Sequence, residues 1–171
     1  IDPDGKVYFT TAGPYGASGT FEDDRFNRSN SSIEFDDWNH IALTYDGIVL
    51  KIYINGVLDF ENYVVDYFPS SYVGKFHIGK FDNGNYPFSG QIDDIKIWNI
   101  GLSESQIQST FNSSSVDNGA NLVAHYSFNE NTGQILYDYS GNQNNGYIYD
   151  AEWIELNELH SDLCCYDAEN D

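Results

Sequence analysis

Trp38-Asn39-His40-Ile41-Ala42-Leu43-Thr44-Tyr45-Asp46-Gly47 runs directly into Ile48-Val49-Leu50-Lys51-Ile52-Tyr53-Ile54-Asn55-Gly56 and then Val57-Leu58-Asp59-Phe60. Three runs of β-branched and aromatic residues, the types that fit a pleated, half-buried surface, are parted by Asp46-Gly47 and Asn55-Gly56. In the first run Ile41, Leu43 and Tyr45 fall on one face, with His40, Ala42 and Thr44 on the other. Asp-Gly and Asn-Gly suit type I′ turns, which need positive φ at both central residues. The spacing therefore predicts a three-stranded antiparallel meander.

Working outward, Lys6-Val7-Tyr8-Phe9-Thr10 reads as a strand, Gly13-Pro14-Tyr15-Gly16 as a break, and Asn27 to Ser32 as polar loop. A looser stretch, Glu61 to Ser71, leads to a strand at Lys75 to Gly79. Asp82-Asn83-Gly84-Asn85 forms a loop before one long strand from Phe88 to Trp98. A single helix is expected over Leu102 to Phe111: Ser103 is a good N-cap, Gln106 completes a capping box, and Ile107 with Phe111 gives an apolar face. After a polar linker come strands at Leu122 to Phe128, Gln134 to Tyr137 and Tyr147 to Tyr149, then an acidic tail. Short strands, turn chemistry and one helix predict an all-β antiparallel sandwich.

The 171 residues suit one domain of sandwich size, or one domain with an appended segment. With no Met anywhere, the sequence is expected to be a processed product or an excerpt of a longer chain, with neighbouring domains. No apolar run approaches the ~20 residues that cross a bilayer. Against 7 Lys and Arg stand 27 Asp and Glu, a formal net charge of −20. That charge repels phosphate backbones and anionic lipid, so neither nucleic acid nor a membrane is expected as a partner. The acidity has two readings: a solvated surface, or hard-oxygen sites for Ca²⁺. Cys164 and Cys165 are adjacent, a spacing poorly suited to bridging each other, and no zinc-type Cys/His spacing occurs. Three Asn-x-Ser triplets, at Asn27, Asn30 and Asn112, fit extracellular loops.

The blocks Trp38 to Gly47, Leu50 to Gly56, and Phe88 to Asn99 with Leu102 to Ile107 resemble, in order and spacing, the core of laminin-G-like (concanavalin A-like) jelly rolls. The resemblance covers about residues 5 to 112. It implies a jelly-roll β-sandwich, with pentraxins, legume-type lectins and some β-glucanases as relatives by fold. His125-Tyr126-Ser127-Phe128-Asn129-Glu130, Gly133, Asp138 and Ser140 to Gly146 resemble the opening strands of the same family, displaced to the far end. The expected organisation is a core at 1–112, a linker at 113–120, a second family-like unit at 121–154 and a tail at 155–171. The second unit either closes the same sandwich or begins a truncated repeat.

The resemblance also implies sites. An Asp near the start of the last strand often holds a structural Ca²⁺ in this superfamily. Carried over, the candidates are Asp93 or Asp94 with Glu130 and Asp138, plus backbone oxygens near Gly133 and Asn142. The competing use of Asp93 and Asp94 is hydrogen bonding to turn amides. For a sugar ligand, exposed aromatics among Asn and Asp residues are the candidates: Tyr15, Tyr72 and Tyr86, with Asn83 and Asn85. Trp38, Trp98 and Trp153 flank strands and are expected to pack in the core or at its rim. His40 and His77 read as structural. Related β-glucanases carry Glu-x-Asp-x-x-Glu or Glu-x-Asp-x-Glu; Glu34-Phe35-Asp36-Asp37-Trp38-Asn39 lacks the second Glu of either. The expected function is a non-catalytic carbohydrate-binding or adhesion module of a secreted or cell-surface protein, braced by calcium. A structural spacer without ligand and a β-glucanase-type hydrolase are the alternatives.

Overall fold

The computed structural model describes residues 1, 3–9, 27–63, 75–80, 87–112 and 119–154. They fall into two compact units, one drawn from 1–74 and 100–116, the other from 75–99 and 117–171. All strand pairings are antiparallel, and one short helix occurs among the described residues.

In the first unit β1 (Lys6–Tyr8) pairs with β2 (Arg28–Ser32). A three-stranded sheet follows: β3 (Ile41–Tyr45), β4 (Val49–Ile54) and β5 (Val57–Tyr63), in that order. The predicted meander is therefore present, but its two turns differ. At Asn55-Gly56 both residues have positive φ (51° and 76°) and Ile54 lies opposite Val57, the two-residue type I′ hairpin. At Asp46-Gly47 only Gly47 has positive φ (98°), and Tyr45 lies opposite Leu50, so the loop holds four residues. There the Asp46 carboxylate closes the turn by accepting from the Ile48 and Val49 amides at 2.9 and 2.7 Å. An Asp side chain that mimics a backbone turn replaces the second left-handed residue. Those amides hold the Asp46 carboxyl below its ordinary pKa.

Asn27 to Ser32, expected as loop, contains β2 instead. It lacks apolar alternation, and polar side chains supplement its pairing with β1. Buried Ser29 accepts from the Val7 amide at 2.9 Å and donates to Ser31 O at 2.7 Å. Asp59, at a register shift of β5 against β4, takes the Asn30 and Ser31 amides at 2.5 and 2.9 Å. Beneath these strands Val7, Leu50 and Ile52 are buried, flanked by Phe9, Ile33, Ile41, Tyr45, Ile54 and Phe60. Leu43 shares the Ile52 face but is 41% exposed. Tyr53, on the other face of β4, is also buried, and burial raises its hydroxyl pKa.

Helix α1 (Glu104–Asn112) begins where the capping box predicts. The Ser103 amide donates to Gln106 Oε1 at 2.9 Å and the Gln106 amide to Ser103 Oγ at 3.4 Å. Ile107 is buried, while Phe111 lies over the Asn55-Gly56 hairpin and against His40, ring centroids 5.4 Å apart. Gly56 is required there, since a Cβ would stand 2.8 Å from Phe111 Cδ1.

In the second unit β6 (Ile95–Trp98) pairs with β7 (Leu122–Tyr126), and β8 (Ile135–Leu136) with β9 (Gly146–Tyr147). The long strand expected over 88–98 is thus only four residues, because Asp94 sits at φ 49°, a conformation that ends a strand and that Asp tolerates better than most residues. β7 stops short of Phe128 for the same reason, Phe128 having φ 50°. Residues 75–79, expected as a strand, carry none. Ala124, Tyr126 and Leu136 are buried here, packed by Ile78, Ile95, Ile97, Phe128, Ile148 and Trp153.

Candidate functional site

Sheet register places Lys96 directly opposite His125 on the β6–β7 ladder. Their neighbours Ile95, Ile97, Ala124 and Tyr126 belong to the core cluster, so alternation sends the two bases to the opposite face. Two bases in adjacent cross-strand positions repel when both are charged. Asp94 resolves this: its Oδ2 pairs with Lys96 Nζ at 2.5 Å and its Oδ1 with His125 Nε2 at 2.9 Å. The Lys96 side chain is 6% exposed and that of His125 14%, whereas Asp94 is 48% exposed. A lysine that buried needs a counter-charge, and the left-handed turn at Asp94 supplies it. Burial opposes ionisation of Asp94, but the hydrogen bonds from Lys96 and His125 outweigh it and hold its carboxyl below the usual range.

Asp138 is the second hub. Its Oδ1 accepts from the His125 and Ser140 amides at 2.9 and 2.8 Å, and its Oδ2 from the Asn144 amide at 2.9 Å. Burial again opposes ionisation, and these amides outweigh it to lower the Asp138 pKa. The same loop dresses the edge of β7. Ser140 Oγ, Asn142 Nδ2 and Asn144 Nδ2 all donate to Val123 O, at 3.1, 3.1 and 2.8 Å. Side-chain donors there occupy a strand edge that would otherwise be open to pairing.

These bonds decide how the calcium candidates fare. Asp93 Oδ1 accepts the Asp94 amide at 2.8 Å, and both Asp94 oxygens hold bases. Asp138 is filled by amides, the Gly133 carbonyl accepts Trp153 Nε1 at 2.8 Å, and Asn142 turns its amide onto β7. Glu130 Oε1 accepts the Tyr137 amide at 3.0 Å, and its Oε2 is buried with no hydrogen-bond partner. Among the described residues, no three or more His, Cys, Asp or Glu side chains converge in a metal-holding group. Four of the six candidates, Asp94, Glu130, Gly133 and Asp138, are thus engaged by donors of the chain itself, with Asp93 holding the Asp94 amide and the Asn142 side chain lying on β7. Lys96 and His125, which sequence reasoning did not select, are the partners of Asp94; cross-strand register, invisible without the fold, brings them together.

The sugar candidates Tyr15, Tyr72, Asn83, Asn85 and Tyr86 lie outside the described residues, as do Cys164 and Cys165. Trp98 and Trp153 are half-buried, Trp153 packing edge-on to Phe128, but Trp38 is 46% exposed rather than packed. His77 is exposed. Glu34 to Asp37 form a turn rather than a strand, tied by Asn39 Nδ2 to the Glu34 and Asp37 carbonyls at 2.7 and 2.9 Å. In the first unit Asn30, Ser31, Ile54, Val57, Leu58 and Asp59 line an open depression of about 370 Å³. Its one carboxylate, Asp59, is already engaged by the Asn30 and Ser31 amides.

Residues 1–108 match the family model of the concanavalin A-like lectin/glucanases superfamily. Among solved structures, the chain is similar to a "putative carbohydrate binding protein" from Bacteroides ovatus, at 27% identity and a TM-score of 0.57, over 69% of this chain and 36% of that one. It is also similar to an S-layer domain-containing protein from Clostridium thermocellum, at 29% identity and a TM-score of 0.43, over 49% of this chain and 43% of that one. The chain thus spans less than half the length of either. No curated protein matches it.

Proposed function

Because the chain belongs to the concanavalin A-like lectin/glucanases superfamily, we propose that it is a non-catalytic carbohydrate-binding module of a secreted or cell-surface protein. The observation that carries this is the likeness to the Bacteroides ovatus protein, which extends over more than two thirds of the chain with a shared fold. The absence of catalysis is supported by the acidic string at Glu34 to Asp37. It lacks the second Glu, and it sits in a turn rather than on the single strand that would aim paired carboxylates at a bond. The Asp94, Lys96 and His125 cluster holds one carboxylate rather than the pair that glycoside hydrolysis uses.

Polysaccharide pull-down with the whole chain tests the binding, and a reducing-end assay on the same polysaccharides tests the chemistry. Retention without release of reducing ends is the expected result. Release of reducing ends would make the chain a hydrolase, and no retention on any polysaccharide would make it a spacer.

The reading needs no metal, because the carboxylates the resemblance assigned to calcium are held mainly by donors of the chain itself. Thermal melts in calcium and in chelator should therefore share one midpoint. A midpoint raised by calcium would show that the chain takes up a metal when folded.

A further inference from the structure

Resting on the carbohydrate-binding reading, we propose that the outer face of the β8–β9 ribbon, built on Tyr137, Tyr147 and Tyr149, is a stacking platform for a neutral glycan. Leu136 and Ile148 belong to the core cluster, so Ile135 and Tyr137 on one side, and Tyr147 and Tyr149 on the other, point away from it. Exposure agrees: 38%, 48%, 69% and 72% respectively. Ile135 lies opposite Tyr147, and the Ile148 amide donates to Gln134 O at 2.9 Å, carrying the ladder on toward Tyr149. The ladder itself has two rungs, Ile135 opposite Tyr147 and Leu136 opposite Gly146, and Tyr137 and Tyr149 lie just beyond it on either strand. The exposed face thus presents Tyr147 on the ladder with Tyr137 and Tyr149 beside it, alternate residues of a strand being roughly 7 Å apart.

Core demand does not explain this pattern, since the ribbon's inner face already supplies Leu136 and Ile148 to the cluster. Tyrosine rings offer apolar faces to sugar C–H groups and hydroxyls to sugar oxygens. Asn145 adds a donor: its Oδ1 is used by the Asp138 amide at 2.9 Å, and its exposed Nδ2 has no partner among the described residues. Charge selects the ligand. A chain of net −20 repels sulfated or uronic polysaccharides, which leaves neutral ones.

Size argues against a protein occupant. Three exposed tyrosines and an isoleucine present on the order of 400 Å² at the side-chain areas typical of aromatics, about half of what each partner of a standard protein interface buries. A second copy would also bring two strongly acidic chains together. A sugar of a few units fits the area.

Affinity gel electrophoresis in laminarin, xyloglucan and galactomannan tests the platform, using the whole chain, a Tyr147→Ala/Tyr149→Ala variant, Tyr147→Phe, and Trp38→Ala from the other unit. The expected result is retardation of the parent chain by at least one polysaccharide and at least ten-fold weaker retardation of the double variant. Trp38→Ala should bind nearly as the parent does, whereas Tyr147→Phe, which keeps the ring but loses the hydroxyl, should bind more weakly than the parent and more tightly than the double variant. Circular dichroism should show all variants folded, because the altered side chains lie outside the core. Equal retardation of parent and double variant, or loss on Trp38→Ala alone, would overturn the platform and leave the carbohydrate reading intact. A parent retarded by none of the three would sink both. A concentration-dependent dimer that the double variant abolishes would make a second copy the occupant, against the proposal.

Discussion

The two units satisfy their backbones in different ways. The first is built on a ladder: β3, β4 and β5 pair along 5 and 6 registered positions, over the buried side chains of Val7, Leu50 and Ile52. The second has strands of 4, 5, 2 and 2 residues, and much of its backbone is held by side chains: Asp138, Ser140, Asn142, Asn144, Glu130 and Trp153. Of the non-glycine residues with positive φ among those described, Asp94, Phe128, Asn131, Gln143 and Asp150 lie in the second unit and only Asn55 in the first. Short strands with left-handed corners leave few ladder bonds, so polar side chains close the account of donors and acceptors. A ladder over an apolar cluster tolerates loss of a polar group; a loop scaffold hung on carboxylates does not.

Substitutions can break that contrast. The largest loss is expected for Leu50→Ala, at 0% exposure in the first unit, costing about 3 kcal/mol through lost burial and a cavity. Hydrogen exchange should quicken in peptides of β3 to β5 and stay unchanged in 119–154. In the second unit no single apolar truncation is needed: Asp138→Ala strands three amides and should cost about 2 kcal/mol, seen as faster exchange across 122–147. Asp138→Ala with no effect on exchange would show that the ladders alone hold this unit.

Acid gives the mildest and most selective test. Asp94 and Asp138, and exposed Asp150 beside Lys80, have lowered pKa values in the second unit, against Asp46 in the first. A carboxyl whose pKa is lower folded than unfolded stabilises fully above its ordinary value near 4, and loses that contribution as pH falls through the folded value. Stability of the second unit should therefore hold from pH 7 to about 5 and decline below about 4, before that of the first. Asp94→Asn should start lower and decline less steeply; an unchanged acid limb would remove Asp94 from the account.

How much was legible follows the same division. The meander, the Asn55-Gly56 hairpin and the Ser103–Gln106 capping box are local signals, carried within a few residues, and they were readable. β2 was not, because its polar residues are satisfied by Asp59, 28 or more residues away, at a bulge that no periodicity announces. Nor was the break at Asp94, whose left-handed turn makes sense only beside Lys96 and His125. The runs carrying Tyr137, Tyr147 and Tyr149 read as strands, yet the paired strands are only Ile135–Leu136 and Gly146–Tyr147; tyrosine suits core and solvent alike, so which face met water awaited Leu136 and Ile148 in the core.

The central claim is that this chain binds carbohydrate and does not cut it. A glycan array probed with the intact chain, once in calcium and once in chelator, tests it most directly. The account predicts binding to a set of neutral glycans, equal in the two buffers, with the printed glycans left intact. No signal on any glycan in either buffer would contradict it.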